Sequence, residues 1–464
     1  MTSHRSPRRR GEPLRVGNGQ GFWGDSMIGP QQLVTRGPLH YLTLDYLAEV
    51  TMSILQKARA RDPDAGYATD FVTTIERILP RCRERGIRIV ANAGGVNPAA
   101  CAEAVAAVAR RLGASGTRIG VVEGDDLLAN LPALVEAGEE LVNLDTGARL
   151  GGSVERVQSA NAYLGAAPIV QALADGADIV ITGRCADASL AVAPIVHELG
   201  WSLDDHDLVA AATVGGHIIE CGTQCTGGNF EDWRRVPDLD DIGYPVLEAY
   251  EDGTLVVTKH AGTGGLVDVD TVTAQILYEI GDPSAYVTPD VVADFTSVAL
   301  SDDGPDRVRV TGARGAPPTD TYKVSCTLHA GYKAVGQLTV AGPDAVEKAE
   351  LIARLLFTRL EREGCRFDDD QRLVECLGAG VCLPMLRSTT FDPPEVVLRI
   401  AVRDADRRKV DRFGKEVASL LLSGPPGATG FAGGRPKATE LLDHWPALVP
   451  KRSVPATVRV EEVP

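Results

Sequence analysis

Residues 215–230 read GGHIIECGTQCTGGNF and place His217, Glu220, Cys221, Gln224 and Cys225 within nine positions, fenced by paired glycines. On a helix His217, Cys221 and Cys225 fall at i, i+4 and i+8 and share a face, with Glu220 beside His217. Several chemistries suit such a set. His217, Cys221 and Cys225 are zinc-ligand types, but the tight cysteine pair of structural zinc sites is missing. Cys221 is a candidate nucleophile with His217 one turn away as its base. Glu220 or His217 is a candidate general acid/base, because these polar groups interrupt an apolar region. A packed helix end with buried thiols is the plain alternative. The acid/base role is the one we expect, with Gln224 and Asn229 orienting a ligand from the glycine-rich turn.

Three further stretches carry candidate groups. In ITGRCAD, Arg184 and Asp187 either clamp a substrate carboxylate or phosphate or simply pair with each other. In KHAGTGGLV, Lys259 flanks a loop with Thr263 and Gly264 whose backbone N–H groups could nest an anion; a hairpin-like turn is the other reading. No Gly-Lys-Ser/Thr follows, so this is no P-loop. GQGFWG at 19–24, with Asp45 further on at a predicted strand end, has the letters of a dinucleotide fingerprint. Phe22 and Trp23 are too bulky for a pyrophosphate approach, Asp25 is the wrong charge, and Gly29-Pro30 breaks the required helix. A tight turn presenting Asn18 and Asp25 is the reading we take.

Regular elements must bring these groups together. LRVGN (14–18) reads as a strand before Gly-rich sequence and HYLTLDY (40–46) as a strand before a helix, while IRIVANAGGVNP (87–98), TRIGVVEGDD (117–126) and DIVITGRCADAS (178–189) each read as a strand running into a turn or polar loop. Helical stretches at 47–60, 70–86 and 99–113 alternate with them, and Pro80 is expected to kink or split the second. This alternation predicts right-handed βαβ units and a parallel sheet, whose ligands bind beyond the carboxyl ends of the strands. Those ends carry Asn18, Asp25, Asn92, Asn97, Asp125, Asp126, Arg184 and Asp187, so one cleft is expected to gather them. After about residue 290 the period falls to two, in RVRVTG, TYKVSCTLHAGYKAVGQLTVAG and EVVLRIAVRD, with helices at 345–363 and 407–422. The expected architecture is α/β: a disordered tail at 1–13, a cleft-bearing parallel-sheet domain at 14–290 with helices on both faces, and a smaller C-terminal α+β domain at 291–464. Residues 423–436 are too rich in Gly and Pro for a regular element and read as a long loop or lid, and ATVRVEEV as a final edge strand.

The 464 residues are enough for a large core in two or more domains, with 44 % hydrophobic and 24 % charged residues. Only 5 % are aromatic, which leaves the core to Ala, Val, Leu and Ile. The formal charge of −16 disfavours nucleic acid and anionic membranes as partners, but not a small anion beside local arginines. No apolar run approaches a membrane span, and MTSHRSPRRRGEP lacks the apolar core of a secretory signal. The nine cysteines have no framework spacing and read as reduced cytoplasmic thiols.

The segments RVGNGQGFWGD, DYLAEVTMSIL, VANAGGVNP, ADIVITGRCADASL, GGHIIECGTQCTGGNF, YPVLEAYEDGTLVVTKHAGTGGLV, LYEIGDPSAYVTPDVVADFTSV and RVRVTGARG occur in this order. Together they resemble the acyclic terpene utilisation protein A (AtuA) family, densely over about 14–340 and more loosely beyond. The resemblance implies a part in the bacterial breakdown of citronellol- and geraniol-type branched terpenoids through CoA thioesters, beside carboxylases and enoyl-CoA hydratases. Many relatives carry a further small C-terminal domain that this chain is expected to lack. Family motifs read GRVAD and ECGAQVTGG; here Cys185 and Cys225 stand at the apolar positions, which argues against Cys225 as an essential ligand.

The expected function is an enzyme acting on a branched acyl-CoA or terpenoid acid by lyase-type proton chemistry: hydration, dehydration or C–C cleavage. The alternative is a non-catalytic ligand-binding or assembly subunit of an acyl-CoA carboxylase. Glu220, His217, Asp187 and Cys221 are the expected catalytic groups, with Asp25, Asp125 and Asp126 as alternative bases or ligands of Mg²⁺. Asn18, Asp25, Asn92, Asn97, Asp125, Arg184, Gln224, Asn229, Lys259, Thr263 and Gly264 are the expected substrate contacts. No cofactor is assigned beyond a coenzyme A thioester as substrate. A cytoplasmic homo-oligomer with a small-molecule substrate is expected.

Overall fold

A computed structural model describes residues 11–386, 393–430 and 433–464. Most of the expected tail (1–10) and part of the expected lid (431–432) lie outside the described residues. The chain forms two compact units: the residues up to Thr327 together with His444–Pro464, and Leu328–Asp443.

In the first unit the strands are β1 (Leu14–Asn18), β2 (Tyr41–Leu44), β3 (Arg88–Ala91), β4 (Arg118–Glu123), β5 (Val157–Ala162), β6 (Ile179–Thr182), β7 (Pro245–Ala249) and β8 (Leu255–Lys259). They are followed by β9 (Tyr286–Val287), β10 (Val292–Asp294), β11 (Ala299–Asp302), β12 (Arg307–Thr311) and β13 (Arg314–Ala316). Its helices are α1 (Ile28–Arg36), α2 (Glu49–Arg61), α3 (Thr69–Arg85), α4 (Pro98–Arg111), α5 (Leu131–Glu136), α6 (Ala167–Ala174), α7 (Ser189–Leu199), α8 (His206–Glu220) and α9 (Val269–Ile276). Beyond them come β14 (Thr321–Ala341), α10 (Ala345–Arg362), β15 (Arg372–Leu377), β16 (Glu395–Asp404), α11 (Arg407–Ser423), β17 (Ala428–Thr429), β18 (Thr439–Pro450) and β19 (Thr457–Glu462).

Among the described residues ten strands form one mixed sheet in the order β11-β12-β8-β7-β1-β2-β3-β6-β4-β19. Its centre, β1-β2-β3-β6-β4, is parallel. Both arms are antiparallel, and β19 pairs with β4 at one edge, as the final ATVRVEEV suggests. The change of period near residue 290 does not coincide with the change of pairing: β7 and β8 are already antiparallel, and β11 and β12 extend the same sheet beside β8.

Alternation along the central strands sends two apolar rows to opposite faces. Leu42, Leu44, Ile89, Ala91, Ile119, Val121, Ile179 and Ile181 join α1, α3 and α4 in one core. Tyr41, Val90 and Val180, also buried, alternate with them, and α6, α7 and α8 pack together beside α7's contacts with β1 and β2. Pro80 does not split its helix: α3 runs through it. Pro80 and Glu76, whose carbonyl loses the bond, both lie on the exposed side, where water replaces the missing donor.

In the second unit, β16 pairs with β14 along Tyr332–Ala341 and with β15, all antiparallel. Leu338, Val340, Leu398 and Ile400 from these strands pack with Leu356 and Phe413 of α10 and α11.

Candidate functional site

The central strands end at one cavity of about 980 Å³, which the first unit builds by itself. Gly21, Phe22 and Asp25 reach it from the loop after β1, and Asp45, Leu47 and Glu49 from the turn after β2. Tyr163 follows β5, and Arg184, Ala186 and Asp187 follow β6. Glu220 and Cys221 come from the end of α8, and Gln224 and Asn229 from the turn beyond it. Tyr278, Glu279, Tyr286 and Lys323 close the remaining side.

Gly215 and Gly216 explain how α8 can lie where it does. A methyl on Gly216 would sit 2.7 Å from the Ala188 carbonyl oxygen, and one on Gly215 2.6 Å from a Leu247 methyl. Only glycines let this helix lie so close to α7 and the sheet. At its end the Asn18 side-chain amide donates to the carbonyls of Ile219 (2.8 Å) and Glu220 (2.7 Å). It thus satisfies helix-end acceptors that have no partner within the helix. Asn18 is buried, does not line the cavity, and holds the element that carries Glu220.

His217 is 1 % exposed and stands behind Glu220, with Nδ1 2.9 Å from Oε1. Its Nε2 lies 3.1 Å from the carbonyl oxygen of Gln275, which only accepts, so Nε2 carries a proton and donates. One proton therefore lies between Nδ1 and Oε1, on either atom. Burial opposes the charged imidazole, but the Glu220 charge and hydrogen bond outweigh it and raise the His217 pKa. Burial likewise raises that of Glu220, against the pull of His217. Glu220 Oε2 is buried with no hydrogen-bond partner. Tyr286 and Phe295 pack around the imidazole at centroid distances of 5.6 and 5.5 Å.

Arg184 and Asp187 pair with each other at the cavity wall, Nη1 to Oδ1 at 2.5 Å. The guanidinium lies 4.2 Å from the centroid of the Tyr163 ring, and Lys323 Nζ lies 4.8 Å from the same ring. The Tyr163 hydroxyl donates to Glu49 at 2.5 Å. Burial works to raise the Glu49 pKa, but this bond and the nearby Arg184 and Lys323 charges bring it down to about 2. Asp125 sits behind the wall, where its Oδ2 accepts from Arg184 N (2.8 Å) and Asn161 Nδ2 (2.9 Å). Burial pushes its carboxyl up to about 7. Gly183 leaves it room, since a methyl there would overlap the Asp125 carboxyl.

Asp187, Glu220, Cys221, Asp25, Arg184, Gln224 and Asn229 thus line one cavity. Cys221 has its thiol pushed up to about 12, first by burial and then by the Glu220 charge, so it supplies no thiolate at neutral pH. Cys225 is fully buried, with its thiol donating toward Gly222 O at 3.7 Å. Asn92 and Asn97 act elsewhere: Asn92 holds Asp45 and the Tyr46 amide, and Asn97 caps α4 and donates to Pro63 O and Ala65 O.

The Lys259 loop is a packed turn away from the cavity lining. Lys259 Nζ pairs with Asp306 at 2.8 Å and donates to Thr263 O. The N–H groups of Gly264, Gly265 and Leu266 go to the carbonyls of Asp241, Pro237 and Thr226, so none of the three is left for an anion. Asp126 pairs with Arg59 at 3.5 Å and holds the Leu128 amide. Among the described residues no group of three or more His, Cys, Asp or Glu side chains is arranged to hold a metal ion.

Glu49, Tyr163, Glu279, Tyr286 and Lys323 line the cavity although sequence reasoning did not place them there. Asp45 drew notice only as the acidic residue of a doubtful nucleotide motif. Its position at the end of β2, the neighbour of β1, was the signal that could have found it.

A family model described as acyclic terpene utilisation family protein AtuA matches residues 14–460. No protein of curated function and no solved structure matches the chain. Among the described residues no helix is long and apolar enough to cross a membrane.

Proposed function

The chain belongs to the acyclic terpene utilisation (AtuA) family, and on that premise we propose that it is an enzyme moving protons on a branched acyl-CoA or related terpenoid acid. The family supports a metabolic role. The observation that carries the chemistry is Glu220, whose Oε1 is tied to His217 at 2.9 Å while its buried Oε2 has no partner at the cavity wall. A carboxyl poised in this way moves a proton on or off the carbon next to a carbonyl, a transfer that hydration, dehydration and C–C cleavage all include in one direction or the other. Convergence of several titratable groups on one cavity favours catalysis over an assembly role.

The lining supports a division of the substrate. Acidic Asp25, Asp45, Glu49, Asp187, Glu220 and Glu279 outnumber basic Arg184 and Lys323, and both bases already face a carboxylate. An uncharged acyl and thioester portion suits this interior, and the phosphates of a CoA belong outside it. Exposed Phe22, Leu144, Val287 and Leu448 line the same cavity and offer apolar surface for a branched alkyl chain.

Glu220→Gln keeps the shape and removes the base. Against a panel of branched 2-enoyl-CoA and 3-hydroxyacyl-CoA thioesters, the wild type is expected to turn over at least one, and the variant to lose about 100-fold or more in kcat. Undiminished turnover by a folded variant overturns the assignment.

A further inference from the structure

We propose that Asp45 is the proton donor of this cavity, working opposite Glu220, so that the two carboxyls add or remove water across a carbon–carbon bond. This rests on the proton-transfer reading of the cavity and narrows it to hydration and dehydration, setting C–C cleavage aside.

The geometry of the two groups runs in parallel. Each carboxyl has one oxygen pinned and one free. Glu220 Oε1 is tied to His217, and Asp45 Oδ1 accepts from Asn92 Nδ2 (2.6 Å) and Leu47 N (3.1 Å). Glu220 Oε2 has no hydrogen-bond partner, both of the Asp45 side-chain bonds fall on Oδ1, and both side chains line the cavity. Asn92 is itself held, since its Oδ1 accepts the Tyr46 amide at 2.7 Å. A carboxyl anchored on one oxygen presents the other in a fixed direction. Asn18 Nδ2 donates to both Glu220 O and Gln20 O, and Asp45 N donates to Gln20 O, so the backbones of both residues are tied to the turn after β1.

Their surroundings split the roles. Glu220 has a cation-forming partner in His217, which supports its anion. Asp45 is 5 % exposed and has no comparable direct ion pair. Burial first, and the Asp187 charge second, raise its pKa well above the usual carboxylate range, against the opposing influence of Arg184 and Asn92. Of two such carboxyls, the one whose surroundings favour the neutral form suits the acid's part, and the one with an imidazole to share its proton suits the base's.

In a dehydration, Glu220 Oε2 takes the proton from the carbon next to the thioester carbonyl. The C–H electron pair becomes the new π bond, and the carbon–oxygen bond at the next carbon breaks. The departing oxygen keeps that bond's electron pair, takes the proton of Asp45 Oδ2 and leaves as water. Glu220 ends protonated and Asp45 ionised, and one proton exchanged through solvent restores both. Hydration is the reverse. No oxidant or reductant is required. C–C cleavage, by contrast, asks for no donor at a leaving hydroxyl, which is the duty the second carboxyl supplies.

Two measurements test this. Infrared difference spectra of wild type minus Asp45→Asn at neutral pH need no substrate. A protonated-carboxyl C=O band present in wild type and missing from the variant is expected; its absence overturns the proposal. Asp45→Ser gives a second comparison if the Asn variant does not fold. With 3-hydroxybutyryl-CoA and its 3-methyl homologue as probes, α-proton exchange in D₂O reports Glu220, and dehydration reports both groups. Asp45→Asn is expected to slow dehydration by about 100-fold or more and exchange far less. Equal slowing of the two, or dehydration at the wild-type rate, overturns the role of Asp45 while leaving Glu220 in place. If wild type exchanges neither probe, the proton-transfer reading of Glu220 falls instead, and the infrared band alone decides Asp45.

Discussion

Asp125 shows how a buried carboxyl can serve the site without touching it. Its Oδ2 takes the Arg184 amide and Asn161, and it is held neutral well above its ordinary midpoint. The consequence for stability follows from proton linkage. The folded protein binds a proton that the unfolded chain has already released, so the contribution of Asp125 to stability is fully present below pH 3.8 and is lost as pH rises through about 7. Asn at this position keeps an acceptor oxygen for both donors and cannot ionise. Relative to wild type, Asp125→Asn is expected to gain stability as pH rises from about 4 to 7, by at most about 4 kcal/mol given the move from 3.8 to about 7. Thermal melts across that range check it, and a constant difference between the two proteins contradicts it. At this scale the sequence was legible where a residue type stood out from its surroundings. His217 and Glu220 interrupt an apolar helix and were readable. Asn18 and Asn92 were expected to meet the ligand because they stand at strand ends, whereas their contacts are with the helix end and with Asp45. Which partner a side chain finds across more than 40 positions of sequence is a property of the packed fold and has no local signature.

At the scale of elements, the position of Glu220 depends on how closely α8 approaches α7 and on how its end is tied. Asn18→Ala leaves the Ile219 and Glu220 carbonyls without their donor, at a cost of about 1–3 kcal/mol. Because the freed turn carries Glu220, turnover is expected to drop as well, in a protein whose far-ultraviolet circular dichroism is unchanged. Gly216→Ala forces the helix away from Ala188 and is expected to cost about 1–3 kcal/mol through overpacking, read as a lower midpoint in urea. A melt at the wild-type midpoint would show that the helices give way without strain. The strong periodicities gave their elements away: the central parallel strands, α10, α11 and the last strand all stand where the pattern puts them. β5 is the instructive exception. Its sequence VQSANA has one β-branched residue and three small ones, so nothing marks it as a strand until it pairs with β14. Tyr163, the ring between Arg184 and Lys323, was hidden with it.

For the whole molecule, charge is the property with a direct functional consequence. The chain carries a formal −16, and the cavity lining is acid-rich as well. A polyanionic CoA thioester approaches such a surface against repulsion, which salt screens over about 10 Å at 0.1 M. KM for an active CoA thioester is therefore expected to fall as salt rises from about 10 to 150 mM. The matching pantetheine thioester, which lacks the phosphates, should show little change. A KM that rises with salt would instead reveal a cationic patch that recognises the nucleotide end. The α/β class and a cleft beyond the strand ends followed from the alternation of elements alone. The antiparallel arms were harder to see, because an antiparallel strand buried on both faces, such as β7, reads like a parallel one.

The central claim is that Glu220 moves a proton in the cavity at the strand ends. Deuterium uptake from D₂O at the α-carbon of a branched acyl-CoA, followed by mass spectrometry, tests it without need of a complete turnover. Exchange by the wild type is expected, with a loss of about 100-fold or more in Glu220→Gln at an unchanged melting temperature. Exchange at the same rate in both proteins would contradict it.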